Sequence, residues 1–308
     1  VYYKSASAED SAYTEVTPTT EEDAVSYVIE SLSEGSYTVK YEVALTETEN
    51  VSITYSITAI QATIGDTTTQ VVSDAGNVTL RKPTVSDGIE YTVTVREALP
   101  DAQPQALTAD TDGNYTLTVT KGSAYTVTYP YTLNGAALKS ENYVVYCPIA
   151  DSDDPAFFDF EDRGGDNVYG SSGSYYAANG QTTVNQVRPL NGENGLELMF
   201  YGAAMSDWKG FKSCNFNVGN VNSVTFFAYS DKDFESTLEM WLDTDANASL
   251  YSTNTVVLKQ GWNKYTLNFG VEFSVIRQYV FHLKTVVSSD GGQWVYVDDI
   301  YFFNDSQA

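Results

Sequence analysis

A period-two alternation through the first half of the chain most constrains what it can fold into. Residues 1–150 contain 25 Thr, interleaved with Val, Tyr and Leu in short runs at 36–43, 51–57, 91–95, 115–120 and 125–129. β-Branched residues alternating with polar ones place one face of each run on a core and the other in water, which is the pattern of half-buried strands. Asp87-Gly88, Asp112-Gly113 and Asn134-Gly135 separate the runs, and such pairs favour the positive φ of tight hairpin turns. The phrase Gly35-Ser-Tyr-Thr-Val-Lys-Tyr recurs loosely from Gly113 and again from Gly122. The segment from Thr20 to Leu32 reads either as a capped amphipathic helix or as a strand; the strand fits its neighbours better.

The second half is β by the same reading but has a different core. All 14 Phe and all 4 Trp lie at or after Phe157, while the 24 Tyr divide 14 before and 10 after. Strands are expected at 195–201, 211–218, 223–230, 236–242, 255–258, 264–269, 279–285 and 294–303, about as many as a two-sheet jelly roll needs. Two cores of different chemistry predict two domains, 1–150 and 151–308, joined in the Pro- and Asp-bearing stretch 148–155.

Charge excludes more than it identifies. With 16 basic and 41 acidic residues the chain carries −25. Residues 1–150 hold 7 against 20, net −13, and residues 151–308 hold 9 against 21, net −12. A field this negative repels phosphate backbones and anionic lipid, so neither nucleic acid nor a membrane surface is expected as partner. A neutral ligand, a cation or a basic protein is tolerated. No apolar run is long enough to span a bilayer. A start at Val1 without a signal peptide fits a processed or trimmed piece of a secreted protein. Cys147 and Cys214 fall one in each half, so a disulfide across the join and two reduced, partly buried thiols are both open readings.

The closing run, Val295-Tyr-Val-Asp298-Asp299-Ile300-Tyr-Phe, holds an anomaly. Val295 and Val297 share one parity and Ile300 and Phe302 the other, so the apolar phase slips at the two acids. A slip of this kind marks a bulge that turns a carboxylate toward the sheet edge, where a bound cation would remove the cost of leaving it unpaired.

Family resemblances appear at this level. The first half resembles the immunoglobulin-like domains of bacterial surface proteins. Phe158-Asp-Phe-Glu161-Asp162, Gly261-Trp262-Asn-Lys-Tyr-Thr-Leu and the closing run resemble the first, middle and last strands of jelly-roll carbohydrate-binding modules, over roughly the C-terminal half. That resemblance implies a structural Ca²⁺ joining Glu161 to Asp298, with the Asn191-Gly-Glu-Asn loop as a source of carbonyls. It also implies a secreted or bacterial cell-surface, non-catalytic binder of neutral polysaccharide or oligosaccharide, part of a larger surface protein or complex. The overall look resembles starch-adherence proteins of gut Firmicutes, so an α-glucan is the first expectation, with β-glucan or hemicellulose next. A second class of function is a structural or adhesive surface protein whose partner is another protein; it predicts that the Trp side chains are buried or scattered.

Sugar recognition requires aromatic faces beside polar groups. Covering about 60 Å² of apolar surface on one platform contributes roughly 1.5 kcal/mol, whereas a Kd near 100 µM needs about 5.5 kcal/mol, so two or three aromatics must converge. Trp241 alternates with Leu238, Met240 and Leu242, which places it with Glu239 and Asp243 on the face away from the core. Trp208, flanked by Asp207 and Lys209, reads as a loop residue. Trp294 follows the Gly291-Gly292 turn, and Tyr251, Tyr169, Tyr175 and Tyr176 are further loop aromatics. Trp262 and His282 read as structural strand residues. Asp243-Thr-Asp245-Ala-Asn247 imitates the start of a calcium loop, but Ala248 and Asn254 replace its required Gly and Glu, so it reads as a solvated turn. No acid spacing singles out a hydrolase pair, and one His gives no convincing triad or zinc cluster, so no enzyme is expected.

Overall fold

The computed structural model describes residues 1–21, 24–27, 29, 32–44, 49–161, 175–177, 182–185, 188–193, 195–200, 208–234, 236–283 and 293–306. Among them there is no α-helix, and the regular structure is β apart from one short 3₁₀ turn at Asp10–Ala12. Buried and exposed positions alternate along Thr116–Val119, whereas Asn50–Ala59 is exposed over almost its whole length. Asn134-Gly135, with φ of 51° and 79°, closes the hairpin between Tyr131–Leu133 and Ala136–Ala137, the geometry that pair favours. Of the segment from Thr20 to Leu32, the described part is strand: Ala24–Tyr27 pairs with Pro18–Glu21.

The chain forms two compact units that do not follow the expected division at residue 150. One comprises Val1–Gly65, Arg81–Tyr91 and Pro130–Lys139. Its largest sheet has four strands, with Gly35–Ala44 between Tyr2–Ser5 and Asn50–Ala59. The other comprises Asp66–Leu80, Thr92–Tyr129 and Ser140–Ala308. It joins a five-stranded sheet, built around Val93–Glu97, Ser123–Tyr129 and Glu141–Cys147, to the aromatic second half.

That junction is packed. The buried Tyr146 meets Phe227 edge-on at 5.4 Å, and Ala98, Ala124, Leu190 and Trp262 complete the same apolar cluster. Arg96 donates to Asn263 Oδ1 at 2.6 Å, and Lys264 donates its Nζ to the Gly122 carbonyl at 2.8 Å and its backbone N–H to that of Ala98 at 2.7 Å. Trp262 is structural, as its place at a strand start implies. Cys147 is a buried free thiol; the side chain of Cys214 lies outside the described set.

The second half is a two-sheet β-sandwich of jelly-roll type around a single apolar cluster that includes Phe158, Leu196, Phe226, Met240, Tyr279 and Phe302. Two strands, Trp208–Ser230 and Gly261–Leu283, are each 23 residues long, where four shorter ones were expected. Their C-terminal and N-terminal portions respectively pair in one sheet, with Gln293–Phe303 and Gly195–Phe200 beyond them. The remaining portions pair in the other, flanked by Tyr175–Ala177 on one side and by Thr237–Thr244 and Leu250–Tyr251 on the other. Register shifts between Lys212 and Ser223 mark where both strands cross over.

Phe227 faces the junction, so truncating it removes buried aromatic area on both sides. Phe227→Ala should cost about 3–5 kcal/mol of unfolding free energy. Urea denaturation followed by Trp fluorescence should show one transition at a lower midpoint; an unchanged midpoint would contradict the packed junction.

Candidate functional site

The outward face of the sheet carrying Thr237–Thr244 is built by strand alternation. Leu238, Met240 and Leu242 are buried in the core, so Glu239, Trp241 and Asp243 occupy the opposite parity, as expected. Pairing with the neighbouring strand places Glu239 opposite His282, Trp241 opposite Val280 and Asp243 opposite Gln278. One strand further, His282 is opposite Trp208, Val280 opposite Gly210, and Gly210 in turn opposite Tyr176. Beyond Trp241 on the other side stands Tyr251. Residues opposite one another across strands share a face. Tyr251, Trp241 and the buried Val280 therefore form one row across three strands, and the pairing register continues along the backbone through Gly210 to Tyr176, with Trp208 at a neighbouring register position. Trp208 and Trp241 stand two strands apart, about 10 Å laterally.

The polar groups on this face are engaged in pairs. His282 Nδ1 hydrogen-bonds Glu239 Oε1 at 2.8 Å, and both side chains are largely buried. Glu239 is thus a positioned, buried acid and not an exposed flank. Arg277 donates to Asp243 Oδ1 at 3.1 Å and also to the Thr244 carbonyl, fixing a guanidinium at the lower edge. Trp241 is half-buried, while Tyr251 is 47% exposed.

Three expectations need correction. Trp208 is the first residue of a strand, and Tyr175 and Tyr176 lie on a strand paired with it, so neither segment is a loop. Lys209, one residue on, is in register with the core residue Phe281, whereas Trp208 is in register with His282. Trp294 belongs to the other sheet, opposite Met199, on the same parity as Tyr296 and Glu197, and does not join Trp241. Asp207 and Tyr169 lie outside the described residues. The loop after Thr244 is a turn, as expected: Asp245 accepts from the Ser274 and Val275 amides, which hold its carboxyl below the usual range. The contribution of Arg277 was missed because nothing in its own run, Val-Ile-Arg-Gln, marks it; only the pairing register brings it to Asp243.

The acidic centre lies elsewhere in the sandwich. The slip at Asp298-Asp299 is a real bulge: Thr225 pairs with Tyr301 but Phe227 with Asp298, and Asp299 has φ of 50°. Both acids are buried in the interior, not turned to a sheet edge as expected. The 188–193 loop connects the two expected ligands. Asp298 Oδ2 accepts from the Leu190 and Asn191 amides at 2.8 and 3.3 Å, and Glu161 Oε1 accepts from the Glu193 amide at 2.8 Å. Gly192, at φ 64°, comes so close to the Glu161 carboxylate that a Cβ would overlap it. The loop thus presents N–H groups, where carbonyls were expected. The least satisfied oxygens belong to their neighbours: both of Asp299 and Oδ2 of Asp159 are buried without a hydrogen bond of ordinary geometry among the described residues, although the Tyr146 hydroxyl lies near enough to Asp299 to favour its charge. Burial first, and the charges of Asp159 and Glu161 after it, push Asp299 up to about 8, the Tyr146 hydroxyl opposing. Burial, then Asp299, raises Asp298 well above the carboxylate range against the three amides that favour its charge. Asp159, Glu161 and Asp298 are thus near enough to Asp299 for charge to act between them. Among the described residues, no three His, Cys, Asp or Glu side chains already stand in ligating geometry.

No protein-family model and no curated protein sequence matches the chain. Solved structures do. One, described as a structural basis for promiscuous specificity in carbohydrate-binding modules of the β-sandwich superfamily, is 19% identical over 75% of this chain and 93% of its own, with a TM-score of 0.37. A family 61 module in complex with β-1,4-galactotriose is 17% identical over 44% and 90%, TM-score 0.31. The C-terminal family 22 module of a Clostridium thermocellum protein is 13% identical over 52% and 99%, TM-score 0.32. Alignments this loose carry no argument about a ligand, and the functional reading rests on the residues of the sheet face.

The raised Asp299 fixes a pH dependence. Between the ordinary carboxylate value of about 4 and about 8, the folded chain keeps a proton that the unfolded chain has released, so stability falls as pH rises through this window. In chelator, the melting temperature should drop by several degrees from pH 5 to pH 8, and Asp299→Asn should flatten the slope. A profile that is flat in the unmodified chain would show that the acid is ionised when buried.

Proposed function

We propose that the chain is a non-catalytic binder of neutral polysaccharide and that the outward face around Trp241 is its site. The observation that carries this reading is the register. Tyr251 and Trp241 are opposite one another on adjacent strands, the Asp243–Arg277 pair and the buried Glu239–His282 pair lie beside them, and the strands that carry Trp208 and Tyr176 are paired in the same sheet, which supports this reading. Aromatic rings supply apolar faces for sugar rings, and preset polar pairs supply donors and acceptors for hydroxyls. An α-glucan is the first candidate; β-glucan and hemicellulose satisfy the same chemistry. The setting proposed is extracellular, with an immunoglobulin-like region ahead of the jelly roll in a larger cell-surface protein. A structural Ca²⁺ belongs to the same proposal, held near Glu161 and Asp298 with the least satisfied oxygens, those of Asp159 and Asp299, as its strongest donors. Its role is to neutralise buried carboxylates and tie the 188–193 loop to the last strand, away from the sugar face.

Affinity electrophoresis through gels containing starch, β-glucan or xylan tests the site. Retardation is expected on at least one, and no retardation on any would overturn the proposal. Removing a platform worth roughly 1.5 kcal/mol weakens binding about tenfold, so Trp241→Ala should abolish the shift on the responsive gel while Trp294→Ala leaves it. Ca²⁺ should raise the melting temperature, and more at pH 8 than at pH 5, because the cation competes with the proton on Asp299. A chelator should lower stability more than it weakens retardation.

A further inference from the structure

The four-stranded sheet of the first unit ends on an edge with none of the usual protections. Among the described residues, Asn50–Ala59 pairs with Gly35–Ala44 along one side only. Nine of its ten residues are exposed, including Val51 at 46%, Ile53 at 53% and Tyr55 at 54%. Edge strands are ordinarily blunted by charge, proline, bulges or shortness, because a row of open N–H and C=O groups templates another strand. This one, Asn-Val-Ser-Ile-Thr-Tyr-Ser-Ile-Thr-Ala, is ten residues long, pairs without a register shift and contains no charged residue, proline or glycine. In a chain of net −25 that neutrality is local and specific. Its alternation sorts Val51, Ile53, Tyr55 and Ile57 onto one face, where they continue a partly open apolar surface with Tyr41 and Val43 of the neighbouring strand. A cavity of about 670 Å³ lies on this surface between Ile29, Val39, Tyr41, Ile53, Tyr55 and Ile57.

We propose that this edge pairs with the same edge of a second copy, antiparallel about a two-fold axis. The strand is its own best complement. An axis through Thr54 sets Thr54 opposite Thr54, Ile53 opposite Tyr55, Val51 opposite Ile57 and Ser52 opposite Ser56, so all four apolar residues of each copy fall on one shared face. Shifting the register by one residue would set Tyr55 opposite Thr54 and mix the faces, which the period of two forbids when one face is apolar. The contact is isologous and closed, as a two-fold requires, and joins two four-stranded sheets into one of eight. The large like charge on each copy opposes association, so pairing strengthens with ionic strength as repulsion is screened.

Sedimentation equilibrium and cysteine crosslinking of the whole chain test this. The apparent mass should rise with concentration from 33.8 kDa toward twice that value, more steeply in high salt. Thr54 is exposed on the polar face, so Thr54→Lys should leave the far-ultraviolet spectrum and melting temperature unchanged while placing two like charges across the axis. It should hold the chain at 33.8 kDa. Thr54→Cys should oxidise to a covalent dimer, since Cα atoms opposite one another lie about 4.5–5.5 Å apart, within disulfide reach. Ser52→Cys should not, its counterpart lying roughly 14 Å away; the unmodified chain under the same oxidant controls for Cys147 and Cys214. A chain that stays monomeric at all concentrations and salts, a dimer indifferent to Thr54→Lys, or crosslinking through Ser52→Cys but not Thr54→Cys would each overturn the proposal.

Discussion

The sandwich depends on two strands that belong to both of its sheets. Trp208–Ser230 and Gly261–Leu283 run paired through the whole height of the fold, and a pleated ribbon alone cannot keep one face on the core while passing from one sheet to the other. The parity must change, and it does so where the register shifts. Along Gly261–Leu283 the residues in the sandwich core are Tyr265, Leu267, Phe269 and Phe273, then Ile276 on the other parity, then Tyr279, Phe281 and Leu283. Along Trp208–Ser230, Val218, Val221 and Val224 step by three before Phe226 and Ala228 resume the alternation. Gly219 and Gly270, both at positive φ, sit at these bends. The sheet face around Trp241 exists because the ribbon turns: its His282 and Val280 lie past the shifts, on the portion that reaches Thr237–Thr244.

The same device explains what the amino-acid order disclosed. Strands with unbroken alternation were legible to within a residue or two, as at 36–43 and 51–57. The two long strands were read as four because the parity changes between Lys212 and Ser223, and between Phe269 and Tyr279, erase the period where the backbone stays extended. The bulge at Asp298-Asp299 was legible for the converse reason, since there the slip falls between two well-marked apolar pairs. At the site, the parity of Trp241 was readable within one strand. The company it keeps was not, because His282 and Arg277 reach that face through long-range pairing, and local sequence holds no record of register. Trp294 went astray the same way: its alternation is as clean as that of Trp241, but it lies in the other sheet.

The join between the halves shows a limit of composition. Aromatic content changes sharply at Phe157, yet compactness does not break there, because Tyr146 and Phe227 bury one another and Lys264 is tied to Gly122 and Ala98. The residues responsible on the early side, Ala98, Gly122 and Ala124, are small and unremarkable in sequence. They matter because they let the jelly roll approach closely. A spacer reading follows from composition; a docked support for the sandwich follows from packing. Tyr146 also reaches the buried acids, so the element that braces the sandwich also bears on the ionisation of Asp299.

Net charge takes on a different meaning once the surfaces are known. Spread evenly over both halves, −25 mainly excluded partners, and it also opposes any contact that must bring two surfaces together. A binding surface on such a chain has to be locally neutral. The face around Trp241 approaches that condition by pairing Asp243 with Arg277, and it holds Glu239 buried in a hydrogen bond with His282. The Asn50–Ala59 edge meets it by composition, with Ser and Thr where a protected edge would carry Lys or Glu. Acidity is the background, and interruptions in it are the signal. Two interruptions of different construction, one a sheet face with aromatic rings and one a bare strand edge, fit two different kinds of contact: a sugar chain laid across strands, and another strand laid alongside.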